Sequence, residues 1–276
     1  TDGEAPLVAL LTPGPYNETY FEHVFLARYL GFPLVEGSDL TVRDNRVYLK
    51  TLQGLKRVHA LLRRLDDEYC DSAALRTDST LGVAGLISAA RAGNVLIANA
   101  LGSGVLESPA LLGFLPTICE KLLGEPLALP SVATWWCGET PALKHVIDHL
   151  PELVIKPAFA SMKLEPTFGH GLDGAGCAAM AERLRATPHA FVAQEWVRLS
   201  QAPTWSNETQ QFEPRVVGLR LYATADGDGY DVMPGGLARV APESAVEVIT
   251  IQRGGSSKDV WVLGGGATPW QSLLVP

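Results

Sequence analysis

The run Leu153-Val154-Ile155-Lys156-Pro157 sets a long cationic side chain inside an otherwise apolar, strand-like stretch. An ammonium is costly to bury unless it is paired, and a phosphate chain is a partner that suits a compact charge on a flexible stem. The alternative for Lys156 is a strand-end lysine whose head reaches solvent. Downstream, Gln194-Glu195 closes the run FVAQE with polar groups that could meet the edge of a flat heterocycle or simply run out to a polar surface.

Arginines recur further on as Arg215, Arg220 and Arg239, the last following the glycine pair of MPGGLAR, where backbone can approach a ligand closely. Facing one cleft, they would suit phosphates or a carboxylate; otherwise they make ordinary surface ion pairs. RGGSSKD (253–259) sets Lys258 after a loop of small residues, readable as an anion-binding nest or as a plain hairpin. The P-loop spacing G-x-x-x-x-G-K-[ST] is absent.

Nearer the start, RRLDD offers Arg63, Arg64, Asp66 and Asp67, which either clamp a zwitterion or pair with one another. ANALGSG (98–104) gives Asn99, Gly102, Ser103 and Gly104 after a strand. It lacks the third glycine, and the acidic residue about 20 positions on, that a dinucleotide fingerprint needs, which argues against a nicotinamide oxidoreductase. The six histidines lack zinc spacing: His145 and His149 stand four apart with no third ligand near. There is no G-x-S-x-G elbow and no H-E-x-x-H.

These groups need a frame. PLVALL (6–11) reads as a strand, ended by the turn TPGP, after which Asn17 caps a helix with Phe21, Val24, Phe25 and Tyr29 along one side and Gly31 at its close. FPLVEG reads as a second strand, TVRDNRVYLKT as a hairpin about Asp44-Asn45, and VHALLRRLDD and NVLIANALGSG as third and fourth strands with polar groups at their ends. In open parallel sheets ligands sit beyond those carboxyl ends. SPALLGFLPTICEKLLG and PALKHVIDHL read as helices flanking a loop VATWWCGET. LVIKP then reads as a short strand, DGAGCAAMAERLRATP as a helix and FVAQEWVRLS (191–200) as a strand. From residue 214, RVVGLRLYAT, GYDVMPGGLARVA and AVEVITIQR read as successive antiparallel strands.

A chain of 276 residues, 47 % hydrophobic and 19 % charged, is large enough for two modest domains with real cores. A net charge of −8 without any Lys/Arg-rich run gives no field for nucleic acid. The longest apolar runs are too short to span a bilayer. Four scattered cysteines without C-x-x-C spacing read as reduced thiols of a cytoplasmic protein. The polar opening TDGEAP, starting without Met, reads as an interdomain joint with more chain upstream.

Seven strings in order, TPGPYNETYFEH (12–23), LVEGSDL (34–40), RRLDD (63–67), GNVLIANALGSG (93–104), LVIKP, MPGGLARVA (233–241) and SSKDVWVL (256–263), resemble the circularly permuted ATP-grasp family. Its relatives include glutathione and glutathionylspermidine synthetases. The resemblance implies an α/β plus α+β chain: a Rossmann-like pre-ATP-grasp domain over 1–125, then a two-lobed ATP-grasp domain over 126–276. It implies a carboxylate–amine ligase that spends ATP through an acyl phosphate, acting on small-molecule or peptide substrates. By the same resemblance Lys156 meets phosphate, Gln194 and Glu195 form the hinge at adenine and ribose, and Arg220 and Arg239 lie on the phosphate side. Lys258 sits in the S-K-D motif; AFASMKLEPTFG (158–169) stands where many members carry a glycine-rich flap, so either Lys163 takes up the phosphate contact or the flap closes poorly. Asn17, Arg63, Arg64, Asp66, Asp67, Asn99 and Ser103 stand as substrate-side candidates. The Mg²⁺-ligating strand is expected upstream of residue 1. The other reading is a nucleotide-binding module or pseudoenzyme without turnover; oligomeric state is left open.

Overall fold

A computed structural model describes residues 5–159, 162, 164–242, 254–264 and 266. Lys163 and the expected strand AVEVITIQR lie outside the described residues. In the first half, β1 (Val8–Leu11) leads into α1 (Tyr20–Leu30) and returns as β2 (Leu34–Val35). A meander follows of β3 (Leu40–Arg43), β4 (Arg46–Thr51) and β5 (Gly54–Val58), then β6 (Ala60–Arg63), α2 (Leu86–Arg91) and β7 (Leu96–Ala98). β2, β1, β6 and β7 form one parallel sheet in that order, so their carboxyl ends share an edge. The β3–β4 turn is the expected one, with Asp44 at φ 50° and Asn45 at φ 55°, the left-handed pair a two-residue hairpin demands. One core joins the two sheets through Leu11, Val47, Val58, Leu61 and Leu86.

The second half runs through α3 (Leu111–Leu123), β8 (Thr134–Trp136), α4 (Thr140–Asp148), β9 (Leu153–Pro157), β10 (Thr167–Phe168), α5 (Gly174–Ala186) and β11 (Phe191–Glu195). The four strands form an antiparallel sheet, β10-β9-β11-β8. Alternation along β9 and β11 sends Leu153, Ile155, Phe191 and Ala193 into a core with Val146 of α4 and Leu184 of α5. Asp173 caps α5, its carboxylate accepting from the Gly176 N–H at 2.7 Å. Then come β12 (Gln201–Ser206), β13 (Gln211–Arg220), the hairpin of β14 (Ala223–Asp226) and β15 (Gly229–Val232), β16 (Gly236–Val240) and β17 (Ser256–Val260). β12, β13, β16 and β17 make the last four-stranded sheet, antiparallel throughout.

Several expectations are corrected. Asn17 does not cap α1: Thr19 holds that position, and Asn17 accepts from it in a tight turn. The helix does not bury its aromatic stripe either. Phe21 and Phe25 are 80 % and 60 % exposed, while His23 and Ala27 face the sheet, because a histidine bonded to β1's end and a small alanine one turn on let the helix sit close. VATWWCGET contains strand β8, β11 stops at Glu195, and β5, unread in the sequence, continues β4 into a third strand. The small residues of RGGSSKD do not form an open loop up to Lys258, since Ser256 already pairs with Val240.

Candidate functional site

Lys156 lies on an interior strand of the β10-β9-β11-β8 sheet, and alternation puts it with Val154 on the face away from α4 and α5. Register sets Val192 opposite Lys156 and Gln194 opposite Val154, so the lysine and glutamine are diagonal neighbours on that face. The Lys156 Nζ donates to Gln194 Oε1 at 2.5 Å, and Gln194 Nε2 donates to Thr134 Oγ1 at 3.1 Å. Gln194 is buried and Lys156 half-buried. Burial pushes the lysine ammonium below its usual pKa. Its hydrogen-bond partner among the described residues is a neutral amide, which orients the cation without cancelling its charge. α3 crosses the β8 end of the same face: Phe114 meets Trp136 edge-on at 6.5 Å, and a Cβ at Gly113 would come within 2.7 Å of the Thr134 carbonyl.

Glu195 ends β11 with an exposed side chain while its N–H donates to the Ala133 carbonyl. Trp196 follows, 5.0 Å from the His170 ring. Gln194 therefore turns toward Lys156 and Thr134, and Glu195 is the member of the pair left at the surface.

On the β12-β13-β16-β17 sheet, Gly218 stands opposite Arg239 and Leu237 opposite Arg220, which brings both arginines to one face. With Gly218, Leu219 and Leu221 they line an open depression of about 460 Å³. Arg239 Nε is buried and lacks a hydrogen-bond partner among the described residues. Gly236 faces its neighbour strand more than any ligand: a Cβ there would come within 2.6 Å of the Arg220 carbonyl. Lys258 pairs with Ala238 and so lies on the opposite face, where its Nζ donates to the Pro203 carbonyl at 2.7 Å. Arg215 also departs from the pair, bonding the Pro242 carbonyl and Glu213.

The carboxyl edge of the parallel sheet gathers the remaining candidates. Arg63 is spent internally: it donates to the carbonyls of Asn99, Leu65 and Ala100 and meets Asp67 at 2.5 Å. Asn99, at φ 62°, returns a bond from its Nδ2 to the Arg63 carbonyl, and Asp67 also accepts from the Gly102 N–H. Mutual pairing is what these three residues do. Arg64 and Asp66 remain exposed, and Ser103, next in sequence to Gly102, starts a short 3-10 turn. Asn17 joins a hydrogen-bonded chain with Thr12, Thr19 and the buried His23.

Thr134 and His23 were not singled out from sequence. Thr134 joins Lys156 only through the β8–β11 pairing, which the loop-like VATWW conceals. For His23 a signal existed: Thr19 and His23 stand four apart on one helix face.

Among the described residues no group of three or more His, Cys, Asp or Glu side chains is placed to hold a metal ion. Among them, too, no helix is long and apolar enough to cross a membrane.

Compared with known proteins, the chain is 42 % identical over 268 residues to the uncharacterized protein Rv2411c of Mycobacterium tuberculosis, covering 97 % of this chain and 48 % of that one. It is 41 % identical over 261 residues to the uncharacterized protein sll0335 of Synechocystis sp., covering 95 % and 54 %. The chain thus spans about half the length of the curated relatives it matches. Among solved structures it is similar to the VanG D-Ala:D-Ser ligase from Enterococcus faecalis, with a TM-score of 0.47 and 13 % identity over 93 % of this chain and 76 % of that one. The ATP-grasp ligase PsnB complexed with minimal precursor gives a TM-score of 0.42 and 13 % identity over 86 % of each chain. Residues 1–241 match the family described as circularly permuted ATP-grasp type 2, and the chain belongs to that family.

Proposed function

We propose that this chain is the nucleotide-binding part of an ATP-dependent carboxylate–amine ligase, with Lys156 a ligand of the ATP phosphates. The observation that carries the reading is the Lys156–Gln194 contact. A half-buried ammonium on the sheet face away from the helices is oriented by a neutral amide, and its charge is left for an anion. Family membership supports the nucleotide as that anion. Arg220 and Arg239, side by side over an open depression with one guanidinium nitrogen unsatisfied, fit phosphate oxygens.

Such a ligase moves the γ-phosphoryl group of ATP to a carboxylate oxygen, releasing ADP; an amine then attacks the acyl phosphate and expels phosphate. The chain's own residues would bind and orient, holding cationic groups against oxygens whose charge shifts during in-line transfer. In this reading Glu195 faces the adenine–ribose side, residues 1–125 carry substrate contacts at the parallel-sheet edge, and residues 126–276 carry the nucleotide. Lys163 is a further phosphate candidate. Four free cysteines are in keeping with a cytoplasmic setting. Mg²⁺, when bound, would neutralise phosphate charge from ligands outside the described residues.

The test is ligand-linked stability. ATP at about a hundred times its dissociation constant should stabilise the chain by roughly 2.7 kcal/mol, and Lys156→Ala should lose that shift while remaining folded. An unchanged shift in Lys156→Ala removes Lys156 from the site, and no shift in the parent removes the nucleotide. ADP release that requires both a carboxylate and an amine separates a ligase from a module that only binds.

A further inference from the structure

Ser108 ties two distant parts of the chain together. It follows the short turn Ser103–Glu107 and precedes α3, is 8 % exposed, and its Oγ lies 2.7 Å from the carbonyl of Ala158, the residue after β9. A carbonyl oxygen only accepts, so the hydroxyl proton goes to Ala158; a lone pair of the same hydroxyl takes the Ala110 N–H at 3.3 Å. The hydroxyl fills a gap in the ladder. Phe191 stands opposite Pro157, which sets Ala190 opposite Ala158, and the Ala158 N–H donates to the Ala190 carbonyl at 2.8 Å. An antiparallel pair of that kind would return a bond from the Ala190 N–H, but that N–H donates to the Thr187 carbonyl at 3.1 Å instead. Ser108 supplies the missing donor, at a residue that is fully buried.

That end of β9 has few other holds. β10 pairs only with Val154 and Ile155, so from Lys156 onward β11 is the one strand beside β9 among the described residues, and Pro157 has no N–H to give. Lys156 stands two residues before the carbonyl that Ser108 holds. Just past Ser108, α3 reaches the far side of the same sheet: a Cβ at Gly113 would come within 2.7 Å of the Thr134 carbonyl, and the Thr134 hydroxyl accepts from the Gln194 amide. Just before Ser108, the Gly102 N–H donates to Asp67 at 2.9 Å. The segment 102–113 is thus a brace, fixed to the parallel-sheet edge at Asp67 and touching the lysine's strand through Ser108 and the glutamine's support through Gly113.

We propose that Ser108 is a positioning residue for the nucleotide site: by holding the Ala158 carbonyl it fixes the exit of β9, and with it the place of the Lys156 ammonium. Without the hydroxyl a buried carbonyl is left with no donor, and the cheapest relief is for residues 157 and 158 to draw away from β11 toward water. Lys156 then loses its alignment with Gln194 and with the phosphate it meets. A helix cap alone has no such effect: the bond to Ala110 steadies the start of α3 and leaves β9 untouched. The inference rests on the reading of Lys156 as a phosphate ligand and adds a residue on which that contact depends.

Titration calorimetry of the full chain with ATP, and with adenosine by competition, separates phosphate contacts from base contacts. Ser108→Ala should weaken ATP by about tenfold or more and adenosine by less than about twofold. Ser108→Thr, which keeps the hydroxyl, should bring ATP back to within about threefold of the parent. Asp173→Ala, which removes the α5 cap and lowers stability elsewhere, should leave the ratio of ATP to adenosine affinity as in the parent. If Ser108→Ala does not fold, Ser108→Cys, with a weaker donor on a similar shape, is read in its place. A parent-like ratio in the Ser108 variant, or an equal loss of ATP and adenosine, overturns the positioning role, as does a ratio that Ser108→Thr fails to restore. Absence of ATP binding in the parent instead sinks the nucleotide reading, and the inference falls with it.

Discussion

Lys156 Nζ reaches Gln194 Oε1 on the neighbouring strand across 2.5 Å, two residues along from its direct partner Val192. The pairing is unequal by design of the chemistry: the amide satisfies one of three ammonium donors and supplies no countercharge. A carboxylate in its place would bind the lysine more tightly and cancel the field that an incoming phosphate would feel.

Gln194→Glu is therefore expected to weaken ATP by about tenfold or more while leaving the fold intact, as measured by titration calorimetry. Gln194→Leu should do the reverse. It strands a half-buried ammonium, lowering stability by about 1–3 kcal/mol without nucleotide, and keeps the ATP-dependent gain. Parent-like ATP binding in Gln194→Glu would falsify contact between Lys156 and the nucleotide.

His23 makes stability depend on pH. Burial first, and Arg64 second, hold its folded pKa below the ordinary 6.5, with Glu22 opposing. The unfolded chain then takes up the proton first as pH falls, so the stability His23 contributes is complete above 6.5 and is lost as pH drops from there toward the folded value. Melting temperatures between about pH 7.5 and 5.5 should fall more steeply for the parent than for His23→Gln. Parallel slopes would mean that the imidazole titrates alike in both states.

How far the sequence reached depends on range. The Asp44-Asn45 hairpin, the Gly31 helix stop and the strand around Lys156 are local signals, and each is where it was expected. The aromatic stripe of α1 misled because periodicity reports that a face exists, not which face the sheet selects; hydrogen bonds from Thr12 to His23 made that selection. Gln194 is expected with Glu195 at an adenine–ribose hinge by family resemblance; its contact with Lys156 comes from cross-strand register, and Lys258 leaves the arginine face through a one-residue parity on β17. Parity and register are pairwise properties of two segments, so neither could be read from one.

Arg63 and Asp67 separate a structural pair from a binding pair. The Arg63 side chain is 9 % exposed and its donors are consumed by carbonyls and Asp67. Arg63→Met should cost about 3 kcal/mol in urea denaturation because it leaves Asp67 and three carbonyls short of a partner. Exposed Arg64→Gln should stay within about 0.5 kcal/mol. Equal costs for the two would mean that the internal pairing of Arg63 is not what holds the β6 and β7 ends together.

The thiols give a readout of how firmly the sheets are closed. Burial pushes both Cys70 and Cys137 up to about 11, whereas Cys119 and Cys177 are partly exposed. At about pH 7.5 a thiol of that pKa is thiolate on the order of once in 3,000 molecules, and it is shielded besides. Iodoacetamide on the native chain, followed by peptide mass spectrometry, should modify Cys119 and Cys177 well before the other two. Cys137 follows Trp136 at the end of β8, and its N–H donates to the Phe191 carbonyl of β11. If Cys137 reacts as fast as Cys119, β8 detaches from β11 on the labelling timescale; Thr134 would then leave Gln194, and the amide that orients Lys156 would lose its own support.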